Sequence, residues 1–221
     1  MKAFILAAGR GERMRPLTDT TPKPLLPAGG EPLIVHTIRR LATAEVTDLV
    51  INISHLGDQV EARLEGGESF GVNIQYSREE VALETAGGII NALPLLGDEP
   101  FILVNGDIWT DFDFATLTRR SLGDSLAHLV LVNNPEHHPK GDFNLHHGRL
   151  VNEGGEALTY SGLGLYSPAM FSGLSRGKRP LAPILRQAIS NSQLSGEKFT
   201  GTWIDVGTPE RLVELKRYLE K

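Results

Sequence analysis

The sequence contains no cysteine, which excludes disulfides, thiolate zinc sites and cysteine nucleophiles. No apolar run approaches the roughly 18 residues that a membrane-spanning helix needs. The N-terminus carries one lysine and a short apolar run, Ala3–Ala8, but Gly9-Arg10-Gly11 follows at once. That pattern reads as a buried strand entering a turn, not as a secretory leader. With neither leader nor cysteine, a cytoplasmic protein is expected. There is no internal repeat, low-complexity tract or obvious linker. Basic residues are also in short supply. Twenty-two Lys and Arg stand against 27 Asp and Glu, a net charge of −5, which argues against a nucleic-acid binder, usually a basic protein.

What is present is enough for a packed core. A folded chain of 221 residues should expose roughly 10,000 Å² and bury about 70% of its unfolded surface. Hydrophobic residues make up 40% and charged residues 22%, which excludes a disordered chain. The length suits one large domain, or one domain with a lobe. The charge is unevenly spread. Residues 1–30 hold Lys2, Arg10, Arg13, Arg15 and Lys23 against only Glu12 and Asp19. A positive segment on an acidic chain is either a local anion site or a solvated basic loop.

Short apolar runs alternate with helical spacings. Strands are predicted over 2–7, 48–53, 72–76, 101–104 and 128–132. Helices are predicted over 32–44, 58–64, 84–93 (ended by Pro94) and 114–121. This β-α rhythm predicts an α/β domain with a mostly parallel sheet. After Asn133 the rhythm changes to a hairpin, 142–146 with 149–151, a short strand at 162–166, and helices at 181–190 and 209–220. That half reads as an α+β lobe completing one domain. His137-His138 and His146-His147 suggest metal, but adjacent strand residues point to opposite faces, so surface histidines are expected.

Two N-terminal elements carry chemistry. In Leu6-Ala7-Ala8-Gly9-Arg10-Gly11-Glu12-Arg13-Met14, small residues let backbone N–H groups approach a phosphate. Met14 at the third glycine position excludes a dinucleotide fingerprint, and the lack of Gly-Lys-Ser/Thr excludes a Walker A loop. In Thr21-Pro22-Lys23-Pro24-Leu25, two prolines bracket a lysine, and Pro24 predicts an extended Lys23. Lysine is a point-charge phosphate binder.

The joint spacing of these elements closely resembles the sugar-1-phosphate nucleotidyltransferase family. Asn105-Gly106-Asp107 resembles the family's metal-binding aspartate after a core strand. Trp203-Ile204-Asp205-Val206-Gly207-Thr208 resembles its later Trp-x-Asp-x-Gly-Thr segment, and Glu84-Thr85-Ala86-Gly87-Gly88 its base-proximal loop. The resemblance implies a Rossmann-like three-layer fold with a mostly parallel mixed central sheet and a small sugar-binding α+β lobe. It implies one catalytic unit over 1–221, with a nucleotide-binding half over about 1–112 and a sugar-phosphate half over about 113–221. Its partners are a nucleoside triphosphate and a sugar 1-phosphate, with no nucleic acid and no membrane; a monomer is the simplest expectation.

The implied reaction joins two polyanions. The attacking sugar phosphate has a second pKa near ~6 and is already dianionic at neutral pH, so no general base and no essential histidine are expected. Positioning and charge neutralisation should dominate. Hard oxygen ligands suit Mg²⁺, and the resemblance places Asp107 and Asp205, 98 residues apart, on one metal. It also makes Arg13 and Lys23 the cations of catalysis. The nucleotide side then draws on Ala8, Gly9, Gly11, Glu12, Asn52, Ser77, Glu84, Gly87 and Gly88. The last two either admit a flat base or pack helix on sheet, and the loop resembles guanylyl- and uridylyl-transferring branches alike. On the sugar side the candidates are Asn105, Gly141, Asp142, Glu156 and Gly162. The family's Glu-Lys-Pro segment is not kept: Glu156 stands for its glutamate, the lysine and proline are missing, and Lys140 or another group takes up the sugar phosphate. A catalytically silent sugar-nucleotide sensor is the reading from another class. The joint presence of Arg13, Lys23, Asp107 and Asp205 argues against it.

Overall fold

The computed structural model describes residues 1–220. Strands β1 (Lys2–Leu6), β4 (Asp48–Ile53), β5 (Asn73–Arg78) and β6 (Phe101–Asn105) alternate with helices α1 (Leu33–Thr43), α2 (Gly57–Leu64) and α3 (Glu84–Leu96). Two short strands, β2 (Pro27–Ala28) and β3 (Glu31–Pro32), form a small ribbon before α1. Then come β7 (Ile108–Thr110), α4 (Ala115–Thr118), β8 (Ala127–Val132), β9 (Phe143–His146), β10 (Arg149–Val151) and β11 (Glu156–Tyr166). The chain closes with α5 (Ala182–Ser190), β12 (Leu194–Lys198), β13 (Trp203–Asp205) and α6 (Pro209–Leu219).

One nine-stranded sheet, ordered β5-β4-β1-β6-β11-β8-β12-β10-β9, runs through both halves. The first four strands are parallel. β11 then enters antiparallel between β6 and β8, and β8 and β12 pair in parallel. The alternation of β1 explains the three layers. Ala3 and Ile5 pack with α1 and α2, while Phe4 faces the opposite cluster with Ala86, Ile89 and Ile90 of α3. A third cluster joins Met14, Leu26, Trp109, Ile204, Leu212 and Leu215. It fastens the N-terminal loop to β7, β13 and α6. Among the described residues no helix is long and apolar enough to cross a membrane.

Some elements differ from the sequence reading. Helix α3 does not stop at Pro94 but runs to Leu96. Proline removes one hydrogen bond, yet Leu96 is buried, and Lys2 Nζ donates to the Leu95 carbonyl at 2.5 Å. The helix expected over 114–121 is the single turn α4. There the hydroxyls of Thr116 and Thr118 bond back to the carbonyls of Asp113 and Ala115, which competes with helix extension. β11 is twice the predicted length. β7, β12 and β13 were not anticipated, being short or poor in apolar residues.

Candidate active site

The N-terminal loop leaves the carboxyl end of β1, where parallel sheets place ligands. Gly11 adopts φ +65°, and a Cβ there would lie 2.9 Å from Thr18 Cγ2 and 3.2 Å from Lys23 Cβ. Thr18 Oγ1 donates to the Gly11 carbonyl at 2.8 Å. The two motifs are therefore packed against each other, which accounts for their joint spacing. Lys23 is not extended. It opens a one-turn 3₁₀ helix, and Pro22 is the extended residue. The turn closes through Leu25 N–H to the Pro22 carbonyl (2.8 Å) and Leu26 N–H to the Lys23 carbonyl (3.1 Å).

Lys23 is buried, and its ammonium donates to Asp107 Oδ2 at 2.5 Å. Both line a cavity of about 230 Å³ that also includes Ala8, Gly9, Asn52, Glu84 and Asn105. Ala7 and Ala8 do not offer their N–H groups to a ligand. Asn52 Oδ1 accepts both, at 2.6 and 3.3 Å. The N–H groups of Gly9, Arg10 and Gly11 have no protein acceptor among the described residues. The donors able to meet a phosphate thus begin at Gly9, slightly later than the sequence suggests. Gly9 has open space where a Cβ would be. Glu12 and Arg13 sit on the following exposed turn.

Glu79 was missed. It is buried, accepts from Asn52 Nδ2 at 2.7 Å and from Leu83 N–H at 2.9 Å, and lines the same cavity. A buried carboxylate with no cation at hand is unusual, but sequence alone gives no hint of its burial. Gly88 packs against it: a Cβ there would lie 2.7 Å from Glu79 Oε1 and 2.9 Å from Asn52 Nδ2. At Gly87 a Cβ would lie 2.4 Å from the Gly177 carbonyl oxygen. Both glycines are thus packing positions off the cavity wall, and the Arg179 carbonyl accepts the Ala86 and Gly87 N–H groups. Ser77 is likewise behind the wall, accepting from Asn91 Nδ2 at 3.0 Å. Glu84 remains on the wall, turned to φ +61°.

The two aspartates are brought together by a two-stranded ladder. Asp205 pairs with Ile108 across β13 and β7, and Val206 N–H donates to the Asp107 carbonyl at 2.9 Å. Arg211 donates to the Asp205 carboxylate, and His137 Nε2 lies 3.8 Å from it. Among the described residues no three acidic, histidine or cysteine side chains gather to form a protein-only metal cage. Each carboxylate is instead taken by a cation of the chain, Asp107 by Lys23 and Asp205 by Arg211. Carboxylate oxygens are the hard donors that suit a divalent ion such as Mg²⁺, with phosphate oxygens and water completing its shell.

The sugar-side candidates separate. Gly162 sits in a bulge of β11 at φ +80°, where a Cβ would lie 2.5 Å from Asn105 Nδ2. Trp203 Nε1 donates to the neighbouring Ser161 carbonyl at 2.9 Å. Gly162 and Asn105 are therefore at the cleft. Gly141 and Asp142 instead tie a loop to β11: Asp142 Oδ2 accepts from Tyr160 N–H at 2.8 Å and Oδ1 lies 3.0 Å from His138 Nε2. Glu156 pairs with Lys198 at 2.6 Å at the far end of β11, roughly 20 Å along the strand from Gly162. The structure does not bring it to the cleft.

A family model described as nucleotidyl transferase matches residues 2–143, which hold the loop, Lys23 and Asp107. The chain belongs to the nucleotidyl transferase family. This nucleotidyltransferase is thus an enzyme. It is 54% identical over 97% of its length to an N-acetylmuramate alpha-1-phosphate uridylyltransferase of Neisseria meningitidis, 96% of which is covered. A protein of the same name from Caulobacter vibrioides is 35% identical, with 94% of this chain and 92% of that one covered. A mannose-1-phosphate guanyltransferase of Aspergillus fumigatus is 32% identical, but only 62% of its length is covered. Among solved structures, one from Bacillus anthracis, described as a glucose-1-phosphate thymidylyltransferase in complex with a sucrose, superposes with TM-score 0.90 at 24% identity. It covers 100% of this chain and 96% of its own, and it supports the fold.

Proposed function

We propose that this nucleotidyltransferase transfers the uridylyl group of UTP to N-acetylmuramic acid 1-phosphate, giving UDP-N-acetylmuramic acid and pyrophosphate, in peptidoglycan recycling. The supporting observation is the 54% identity, along almost the full length of both chains, to a relative bearing that name. The reading has the chain acting as a cytoplasmic monomer. An oxygen of the sugar phosphate attacks the α-phosphorus, and the bond to the β-phosphate breaks. The acceptor needs no base, being already dianionic. Lys23 meets the transferred phosphoryl group and Arg13 the leaving phosphates, so that charge is neutralised where it gathers. Asp107 and Asp205 would hold Mg²⁺, which supplies positive charge between the phosphate groups. Glu79 keeps lone pairs beyond those taken by Asn52 and Leu83. An acceptor on the cavity wall can take the ring N–H of uracil, a donor that thymine and guanine also carry.

Release of pyrophosphate tests the proposal, with UTP, GTP, dTTP and ATP set against N-acetylmuramic acid, mannose, glucose and N-acetylglucosamine 1-phosphates in Mg²⁺. Preference for UTP with N-acetylmuramic acid 1-phosphate is expected. Preference for GTP or mannose 1-phosphate overturns it, and ligand binding without pyrophosphate release identifies a sensor.

A further inference from the structure

Arg211 belongs to none of the sequence motifs, yet it stands at the catalytic ladder. Its side chain is 16% exposed, it donates to the Asp205 carboxylate, and Nη1 lies 3.0 Å from His137 Nε2. It lines a second cavity of about 450 Å³, whose wall includes Asn133, His137, Trp203 and Asp205. The first cavity has Asp107 in its wall and this one has Asp205. The two aspartates sit at strands joined by backbone hydrogen bonds, so the ladder stands between the two cavities.

Beside Gly207 cations outnumber carboxylates. A Cβ on Gly207 would lie 2.7 Å from Arg211 Nη2, 3.1 Å from Arg13 Nη2 and 3.1 Å from Asp205 Oδ1. Two guanidinium groups and one carboxylate converge on a residue without a side chain. Arg13 forms no ion pair among the described residues. Glu136 and Glu214 also line this cavity but are exposed to solvent, so the positive charge is local to the corner beside Gly207, where two guanidinium groups face one carboxylate and an anion is favoured. On the Lys23 side, by contrast, one cation meets one carboxylate.

The acceptor brings such an anion, and the chain lacks the lysine of the Glu-Lys-Pro segment that would meet it. Lys140 is on the wall of neither cavity. We propose that Arg211 binds the phosphate of the sugar 1-phosphate. It exchanges its bond to Asp205 for phosphate oxygens as the acceptor enters, and so frees the Asp205 carboxylate. A guanidinium presents two parallel N–H groups to a phosphate, which lysine does not. This inference rests on the transferase reading above and adds the acceptor's cation to it.

Calorimetry without nucleotide tests it, on wild type, Arg211→Ala, Arg211→Lys and Gly207→Ala, each checked for folding by thermal melting. The ligands are N-acetylmuramic acid 1-phosphate, N-acetylglucosamine 1-phosphate and unphosphorylated N-acetylmuramic acid, with UTP titrated separately. R211A should weaken both sugar phosphates at least tenfold and leave the free sugar and UTP within about twofold. R211K should recover only part. G207A, whose Cβ crowds both Arg211 and Arg13, should weaken the sugar phosphates and UTP together. Loss confined to ligands bearing the lactyl group overturns the proposal in favour of a carboxylate reader. Equal loss for UTP in R211A assigns Arg211 to the donor. Unchanged affinity for both sugar phosphates in R211A leaves it only a clamp on Asp205. If wild type takes another sugar phosphate, the substrate reading fails, and the same comparison made with that sugar still decides the role of Arg211.

Discussion

Lys23 Nζ lies 2.5 Å from Asp107 Oδ2, so the cation and the carboxylate that face the nucleotide cavity neutralise each other before any phosphate arrives. An incoming phosphate competes with Asp107 for the ammonium, which frees the carboxylate in turn. Lys23→Ala should therefore lower kcat more than tenfold, about 1.4 kcal/mol of barrier. Asp107 is 34% exposed and stays hydrated in the variant, so the melting temperature should change little. A fall in turnover below tenfold removes Lys23 from catalysis.

Glu79 accepts from both Asn52 and Leu83, and its two oxygens are not interchangeable with an amide. Glu79→Gln keeps one acceptor and loses the other, leaving a buried donor unpaired at a cost of about 1–3 kcal/mol. Asn52 in turn holds the Ala7 and Ala8 N–H groups. The expected outcome is a lower melting temperature together with a raised KM for UTP. The KM for the sugar phosphate should stay within about twofold in steady-state kinetics.

At Gly162 the backbone lies in the left-handed region and Asn105 fills the space of a Cβ. Gly162→Ala should cost about 1–2 kcal/mol from backbone conformation alone, with more from displacing Asn105 toward the cavity. Melting and the acceptor KM should both worsen. An unchanged KM would show that Asn105 does not define the acceptor side.

Glu156 gives the opposite expectation. Its partner is Lys198, and it lies far along β11 from the bulge. Glu156→Ala should leave both KM values and kcat within about twofold. A large rise in the acceptor KM would restore it to the site.

A pH effect on stability is expected from Glu197. The facing His128 imidazole, and then Arg120 with its Nη2 at 3.0 Å, hold this carboxyl below its ordinary value against the opposing effect of burial. A group depressed in the fold adds stability above its unfolded pKa, about 4.3, and loses it as pH falls through the folded value. The gap in melting temperature between wild type and Glu197→Gln should be widest near neutrality and close below about pH 4.

The parallel half of the fold was legible because β1, β4 and β6 are short apolar runs separated by strongly periodic helices. The turn after β1 and the turn at Lys23 were legible because glycine and proline leave local marks. What escaped depends on contacts distant in sequence. β7 and β13 are three residues each, and neither has a periodicity to detect; only their pairing makes them strands. Glu79 and Arg211 carry no motif, and their importance comes from burial and from neighbours on other elements. Gly87 and Gly88 were open between base contact and packing, and the structure shows them packed close against Gly177, Glu79 and Asn52. His137 reads as a surface histidine in sequence and is exposed, but its place beside Asp205 and Arg211 has no mark in the sequence.

The ladder of β7 and β13 also separates two kinds of change. Asp107 and Asp205 are set by backbone hydrogen bonds between short strands, while the chain from β8 to β12 runs out and back between them. Within that stretch β8, β11 and β12 are held in the central sheet, while the β9–β10 hairpin at its edge can vary without touching the ladder. Specificity can drift in one stretch of sequence while the reaction centre stays mechanically insulated from it.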